Sequence, residues 1–440
     1  MTSMRTVLVI GDDPYFRVMA VQFLRGKGLA VLEASEGEEG LRLAKVHQPD
    51  AIICDLLAPR GQGFHVGRTL RRVEFLRGTR IIAVSGPSGE TGREAAISAG
   101  ADEYFTKPVD PNLLLEAINR PAGETSRGHE SEPESMPGTP WFRFWGVRGS
   151  IPTPGAATIG CGGNTSCVEV RAGGQIIILD AGTGLRLLGG ELSAEFGEDP
   201  LELTLLLTHT HWDHIQGMPF FKPLFKAQNR LRIYGHEGAR HGLENILNSQ
   251  MENPFFPIGL REVPANVEIN ELRDFTFSVG PVRIETAVAH HPGICVGYRL
   301  FTQQGSIAFF PDHEPHLGLL RTPAASAPPD AAALDSARAE NQKLVDFLRG
   351  AEVLIMDTQY DREEYQRHIG WGHGCLDDVV ALAMNAGVKK LFLFHHDPDH
   401  DDAKIEEMLK YGRELVAAAS GTLHIEAARE GATYTLPQAG

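Results

Sequence analysis

The stretch LELTLLLTHTHWDHIQGMP (201–219) begins as an apolar run and ends as a cluster of ligand-type side chains. Its first eight residues are rich in leucine, which is typical of a buried β-strand. Three histidines and one aspartate follow within six positions, from His209 to His214. Imidazole and carboxylate groups together suit zinc, and also manganese or iron. The stretch therefore predicts a metal centre at the end of a buried strand.

The spacing of these four side chains predicts two ion sites rather than one. His209 and His211 are alternate residues, so they share a face and can bind one ion. Asp213 and His214 lie on the following turn and can reach a second ion. A lone histidine is usually a surface or packed residue, but that explanation fits poorly for four such residues in an HxHxDH pattern directly after a strand.

Length and composition indicate the number of domains, the cellular compartment and the classes of ligand that the chain can bind. The 440 residues predict at least two domains, and no apolar run approaches the roughly 20 residues that span a membrane. Five scattered cysteines with no CxxC pair, and no signal peptide, favour a reducing cytoplasm. The formal net charge of −16 disfavours broad nucleic-acid binding, although bound cations would still allow a small phosphate ester.

One segment divides the chain. RPAGETSRGHESEPESMPGTP (120–140) is rich in Pro, Gly, Ser and Glu and has almost no large apolar residues, so it cannot fold alone. The sequence thus predicts a first domain over 1–120, a flexible linker over 121–140 and a second domain over 141–440.

The first domain alternates short β-branched runs with helical periodicity, beginning with TVLVI (6–10). This alternation predicts five parallel strands covered by helices, an α/β fold with functional groups at the carboxyl ends of the strands. Five polar side chains follow or end predicted strands and should share one crevice: Asp12, Asp13, Asp55, Ser85 and Lys107.

This arrangement, with Pro59, Gly63 and the FTKP segment, resembles the receiver domain of bacterial response regulators. The resemblance implies a flavodoxin-like (βα)5 fold and phosphorylation of Asp55 by a sensor histidine kinase. It also implies a homodimer through one face. A further set of roles follows from it: Mg²⁺ near Asp12 and Asp13, phosphoryl contacts from Ser85 and Lys107, and a switch aromatic at Tyr104.

One position departs from the receiver pattern. Gly11 stands where the family usually has an acidic residue, which predicts weaker Mg²⁺ binding and weaker phosphorylation. The alternative is a receiver that only docks or dimerises.

HxHxDH is the signature of the metallo-β-lactamase superfamily, and the resemblance implies an αββα sandwich. It also implies further ligands after later strands. Family spacing to Gly297-Tyr298-Arg299 selects His291 over His290, and the spacing to Pro398 selects His395 over His396. Asp312, at the end of an apolar run, would bridge the two ions. The implied ligands are His209, His211 and His291 for one ion, Asp213, His214 and His395 for the other, and Asp312 for both.

The remaining histidines and Asp180 are not expected to bind metal. His290 and His396 are expected to be supporting or structural, and Asp180 is expected to orient the His209–His214 loop. Three more histidines are expected to face solvent: His313, His316 and His400.

Four segments resemble the branch of the superfamily that includes ribonuclease Z and cyclic-nucleotide phosphodiesterases: FWGVRGSIPTPG (144–155), CGGNTSC (161–167), ILDAGTG (178–184) and DTQYDREEYQRHIGWGHG (357–374). The resemblance implies that His373 contacts the scissile phosphate and assists the leaving oxygen, while Asp213 binds metal and orients or deprotonates the nucleophile. Alternatively, His373 caps the following helix.

The main hypothesis is therefore a receiver joined to a dinuclear hydrolase of small phosphodiesters, with a cyclic nucleotide as one candidate substrate, under phosphorylation control. A second hypothesis keeps the metal site but makes it a thioester or lactam hydrolase. A third is a non-enzymatic scaffold with structural metals.

Overall fold

The structure is a computed structural model that describes residues 5–11, 14–55, 62–76, 78–85, 96–106, 109, 111–120, 139–236, 242–319 and 331–436. The chain divides into two compact units, Met1–Glu132 and Pro133–Gly440. Within the described ranges, none of the helices has both the length and the apolar character that a bilayer span requires.

The first unit is a five-stranded parallel sheet in the order β2-β1-β3-β4-β5. The strands are β1 (Thr6–Ile10), β2 (Ala30–Ala34), β3 (Ala51–Asp55), β4 (Arg80–Ser85) and β5 (Glu103–Thr106). Among the described residues, the bounded helices are α1 (Pro14–Gly26), α2 (Gly37–His47), α3 (Gln62–Arg72) and α4 (Pro111–Asn119), with a 3-10 turn at Glu74–Leu76, and residues 96–98 are also helical. The predicted flavodoxin-like fold is confirmed.

Burial explains why these strands are apolar throughout. Val7 and Val9 lie in one core cluster, while Leu8 and Ile10 lie in another on the opposite face. Because successive side chains of a strand point to opposite faces, both faces of the sheet are covered.

The second unit contains two seven-stranded mixed sheets. The first has the order β11-β10-β9-β8-β7-β6-β19, and the second β12-β13-β14-β15-β16-β17-β18. The strands of the first are β6 (Trp141–Gly146), β7 (Cys167–Ala172), β8 (Gln175–Leu179), β9 (Glu202–Leu206), β10 (Arg230–Gly235), β11 (Asn266–Glu271) and β19 (Thr433–Thr435). Those of the second are β12 (Thr276–Val279), β13 (Val282–Ala289), β14 (Cys295–Thr302), β15 (Gly305–Phe310), β16 (Val353–Asp357), β17 (Lys390–Phe394) and β18 (His424–Ala427).

Helices accompany both sheets. They are α5 (Gly184–Phe196), α6 (Trp212–Ile215), α7 (Leu243–Ser249), α8 (His316–Leu319), α9 (Ala331–Leu348), α10 (Arg362–His368), α11 (Leu376–Asn385) and α12 (Asp402–Ala418), with 3-10 turns at Met218–Phe220, Lys222–Phe225 and Leu260–Glu262.

The two sheets pack face to face through an aromatic core. Phe142 of the first sheet meets Phe392 of the second edge to face, with ring centroids 5.6 Å apart. Residues of α9, α11 and α12 pack in one core cluster with the outer face of the second sheet. Residues of α5 pack in another core cluster with the outer face of the first sheet. The predicted αββα sandwich is confirmed.

In each of the two sheets, parallel pairing brings the ends of neighbouring strands together. Strand β9 pairs in parallel with β8 and β10, and β16 pairs in parallel with β15 and β17. Parallel neighbours end at the same edge of a sheet. The loops that follow β9, β13, β15 and β17, the loop before α11 and the last residue of β16 carry the side chains of the candidate centre.

Candidate metal centre

The HxHxDH motif occupies the turn between β9 and α6. His209 and His214 are buried, whereas His211, the residue before α6, is exposed. The rings of His209 and His211 lie 4.4 Å apart, and His291, which follows β13, lies 4.9 Å from each. One nitrogen from each of these three histidines falls within 4.8 Å of the others.

A second group forms around Asp213. Its Oδ2 lies 3.1 Å from Nε2 of His214 and 3.2 Å from Nε2 of His395, which follows β17. The same oxygen accepts a hydrogen bond from the backbone N–H of Ser150, at 2.8 Å. These ligand-type atoms also fall within 4.8 Å of one another.

Asp312 lies between the two groups. Its Oδ2 is 3.3 Å from Nε2 of His209 and 2.8 Å from Nε2 of His214, and its Oδ1 is 3.1 Å from Nε2 of His395. The structure thus brings together all seven side chains that the sequence singles out as ligands. Their binding of ions stays a prediction.

Buried atoms in this cluster are consistent with a cation. Nε2 of His209, Nε2 of His214 and both carboxylate oxygens of Asp312 are buried, and none makes a hydrogen bond. A buried polar atom left unpaired costs roughly 1–3 kcal/mol, and more if it is charged. Nitrogen and carboxylate lone pairs that converge in this way fit a divalent ion such as zinc.

Burial and charge set the protonation of the candidate ligands. Desolvation by the surrounding protein lowers the pKa of the buried His209 and His291 and also that of the more exposed His211, which keeps these rings neutral as ligands must be. Burial alone would raise the pKa of Asp213 and Asp312, but the neighbouring histidines hold both well below the usual value. Both aspartates are therefore ionised.

Outer hydrogen bonds orient most of the rings. Nδ1 of His214 lies 2.7 Å from Oδ2 of Asp180, Nδ1 of His291 lies 2.9 Å from the Gly372 carbonyl, and Nδ1 of His395 lies 3.1 Å from Oε1 of Gln359. Such contacts fix the tautomer and leave Nε2 facing the centre. The structure therefore places Asp180 beside the His209–His214 loop, where the sequence expects it.

His373 projects from the loop before α11. Its Nδ1 lies 3.0 Å from Oδ2 of Asp357 and 3.3 Å from Oδ1 of Asp312, and its ring stacks on His395 at 5.2 Å. Burial would lower the pKa of His373, but the two carboxylates raise it to about 10. Helix α11 begins after Cys375 without a side-chain cap, so His373 contacts the carboxylates instead of capping that helix.

Sequence reasoning missed three buried residues of this site: Asp357, Gln359 and Glu314. Asp357 carried a usable signal, because it ends the apolar run VLIMD as Asp180 ends IIILD.

Two of the histidines expected to face solvent are buried, so that expectation is wrong for them. Nδ1 of His313 accepts a hydrogen bond from the backbone N–H of His290, and burial lowers the pKa of His313 to about 3. His400 lies 3.0 Å from Oε1 of Glu364. His316 is partly exposed.

The receiver site is described in part. Asp55 is buried at the end of β3, and Tyr104 is partly buried in β5. A Cβ atom added to Gly11 would lie 3.1 Å from Cβ of Asp55, so this glycine stands where an acidic side chain would adjoin the predicted phosphoacceptor. Asp12, Asp13, Lys107 and the side chain of Ser85 lie outside the described residues.

Comparison with known families assigns the two parts of the chain to two different families. Residues 7–119 match the response regulator receiver domain, and residues 176–396 match the beta-lactamase superfamily domain. The chain belongs to the beta-lactamase superfamily and carries a response-regulator receiver domain at its N-terminal end.

Individual relatives fall into two groups. Protein PilH of Pseudomonas aeruginosa is 32% identical over 116 residues, which cover 26% of this chain and 96% of PilH. The transcriptional regulator KdpE of Escherichia coli is 37% identical over 105 residues, 24% of this chain and 45% of KdpE. The chain thus spans about half the length of the transcriptional regulators that it matches. The metallo-beta-lactamase fold protein YhfI of Bacillus subtilis has a TM-score of 0.47 at 18% identity, covering 68% of this chain and 99% of YhfI.

Proposed function

We propose that the second domain, over 141–440, hydrolyses a small phosphodiester with the help of two divalent cations. Zinc is the expected metal, and manganese or iron also suit the ligands. One ion would be held by His209, His211 and His291, the other by Asp213, His214 and His395, with Asp312 shared.

One observation carries this proposal. The buried atoms of Asp312, His209 and His214 that make no hydrogen bond lie within the same cluster as an imidazole, His373, whose pKa two carboxylates raise. The cluster thus joins a cation site to a proton donor. This combination serves the cleavage of an ester whose leaving group is a strong base.

The chain's own residues have distinct tasks in such a reaction. When bound, the two cations lower the pKa of water and neutralise charge on the phosphate oxygens. Asp213, whose Oδ2 is fixed by the Ser150 N–H, accepts a proton from the attacking water or orients it. Because Nδ1 of His373 faces Asp357, its Nε2 donates the proton to the departing oxygen.

A protonated His373 would favour a phosphodiester over the alternatives. A cationic imidazole attracts an anionic substrate, whereas a β-lactam ring carries no charge at the bond that breaks. A thiolate leaves readily without a proton, because thiols have a pKa near 8.5. A thioester hydrolase would therefore have little use for this donor.

Turnover of three substrates tests the reaction class. We expect the zinc-loaded chain to hydrolyse bis(p-nitrophenyl) phosphate and to leave nitrocefin and an acyl thioester nearly untouched. His211→Ala should abolish this activity. A preference for the thioester or for nitrocefin would contradict the proposal, and hydrolysis of none would favour the scaffold hypothesis. A screen of cyclic nucleotides and dinucleotides would then narrow the natural substrate.

We propose further that the receiver, over 1–120, accepts a phosphoryl group on Asp55 from a sensor histidine kinase. The segment 121–140 would serve as a flexible connection, and the receiver would support a homodimer. If phosphorylation controls the output, phosphodiesterase rates should differ between protein treated with acetyl phosphate and Mg²⁺ and untreated protein. Equal rates at full labelling of Asp55 would contradict that control.

A further inference from the structure

Glu314 is a fully buried carboxylate that the reaction described above does not use. It follows Asp312 by two residues and faces the loop before α11. Its Oε1 accepts hydrogen bonds from Tyr365 Oη at 2.6 Å and from the Gly370 N–H at 2.8 Å, and its Oε2 accepts one from the Gly372 N–H at 2.8 Å. All three donors are uncharged groups, and two of them belong to one short loop.

That loop contacts one histidine of the candidate centre and carries another. The carbonyl of Gly372 accepts the hydrogen bond from Nδ1 of His291, and His373 is the next residue. Gly372 has a φ of +90°, and a Cβ atom there would lie 2.5 Å from Nδ1 of His291. Only glycine fits so close to the ring. The position of this peptide therefore sets the orientation of His291 and of His373 together.

The backbone of Glu314 reaches a third segment. Its N–H donates to the carbonyl of His290 at 2.9 Å, and its own carbonyl lies 3.1 Å from Nδ1 of His290. His290 immediately precedes the candidate ligand His291. One residue thus joins the loops after β13, after β15 and before α11, each of which carries a side chain of the centre.

We infer that Glu314 is a positioning residue, which holds the loop 370–372 so that the Gly372 carbonyl orients His291 and His373 faces Asp312. A carboxylate suits this task because hydrogen bonds to an ionised acceptor are roughly twice as strong as neutral ones. The inference rests on the proposed metal centre. It extends that centre by one residue that contacts neither ion nor substrate.

Zinc affinity separates this role from simple packing. Glu314→Gln keeps the volume but turns an NH₂ group towards N–H and O–H donors. We expect its zinc affinity, measured by competition with a chromophoric chelator, to fall about 10–100-fold, as for other groups that orient ligands. With bis(p-nitrophenyl) phosphate, kcat should fall while KM changes less than about threefold.

Glu169→Gln is the matched control. Glu169 is also buried and accepts hydrogen bonds, from Trp145 Nε1 and Arg171 Nε, but it lies on β7. It should lose thermal stability and keep zinc affinity. If Glu314→Gln does not fold, Tyr365→Phe removes one of the three donors and should lower zinc affinity about twofold to fivefold.

The outcomes distinguish this inference from the proposed function. No zinc binding by the unsubstituted chain would contradict the metal centre itself. Zinc binding by the unsubstituted chain, with unchanged affinity in Glu314→Gln, or in Tyr365→Phe where the first variant does not fold, would contradict the positioning role alone. An equal loss of affinity in Glu169→Gln would also overturn it, because the effect would then follow general stability.

Discussion

Asp180 Oδ2 lies 2.7 Å from His214 Nδ1, and both side chains are completely buried. The carboxylate also accepts hydrogen bonds from Ser166 Oγ and from the backbone N–H of Thr208. Asp180 has a φ of +59°, which is unusual for a residue other than glycine. Its surroundings therefore hold it in an unfavourable backbone conformation, where it fixes the ring of His214 with Nε2 towards Asp312.

Replacement of Asp180 by Asn tests this relationship. The amide keeps the shape but cannot supply the negative charge that the Nδ1–H of His214 faces, so we expect zinc affinity to fall about 10–100-fold. Ser166→Ala, which removes one neighbouring donor, should change affinity much less. Calorimetric titration of metal-free protein measures both. Equal effects of the two substitutions would contradict the special role of Asp180.

A second prediction concerns the proton that His373 carries. If His373 protonates the leaving oxygen, His373→Ala should lower kcat by about 10²–10⁴-fold. The loss should be larger for diphenyl phosphate than for bis(p-nitrophenyl) phosphate, because phenolate is the stronger base and needs the proton more. His424→Ala, at an exposed position on β18, is the control. Equal losses on the two substrates would indicate that His373 stabilises charge without transferring a proton.

The sequence predicts the parts of this site that follow a repeated local pattern. His209, Asp312 and His395 each come directly or closely after an apolar strand, which is visible in the sequence, whereas their convergence on one site was expected from the family resemblance. Family spacing separated His291 from His290 and His395 from His396, and the structure places the selected member of each pair in the cluster.

The other features of the site depend on long-range packing, which no local sequence pattern predicts. Glu314 acts on a peptide 58 residues later, at Gly372. His313 and His400 stand among polar neighbours in the sequence, and this local pattern does not show that they are buried. Segments distant along the chain surround both, as the contact between His400 and Glu364 shows. Only the folded structure reveals that burial.

A third prediction concerns stability and pH. Glu430 is largely buried and accepts hydrogen bonds from the backbone N–H and side-chain Nδ2 of Asn164. Burial raises its pKa from 4.5 to about 7. Because the folded state holds this proton more tightly, the stabilisation is complete below about pH 4.5 and is lost as the pH rises to about 7.

Glu430→Gln cannot ionise, so this loss should disappear. From pH 5 to pH 8, the free energy of unfolding of the variant should gain about 1–3 kcal/mol relative to the unsubstituted chain. Urea unfolding at each pH measures the difference. Glu407→Gln, on the exposed side of α12, should follow the unsubstituted chain. A pH-independent difference for Glu430→Gln would contradict the raised pKa.

The last prediction addresses the receiver. A Cβ atom at Gly11 would lie 3.1 Å from that of Asp55, so Gly11→Asp would place a second carboxylate beside the predicted phosphoacceptor. Since carboxylates bind Mg²⁺, we expect labelling of Asp55 by acetyl phosphate to become several-fold faster at limiting Mg²⁺. Gly26→Asp, where an added Cβ meets open space at the end of α1, is the charge-matched control. Mass spectrometry of the intact protein follows the 80 Da gain of a phosphoryl group. If Gly11→Asp and Gly26→Asp are labelled equally fast, the missing acid does not limit phosphorylation.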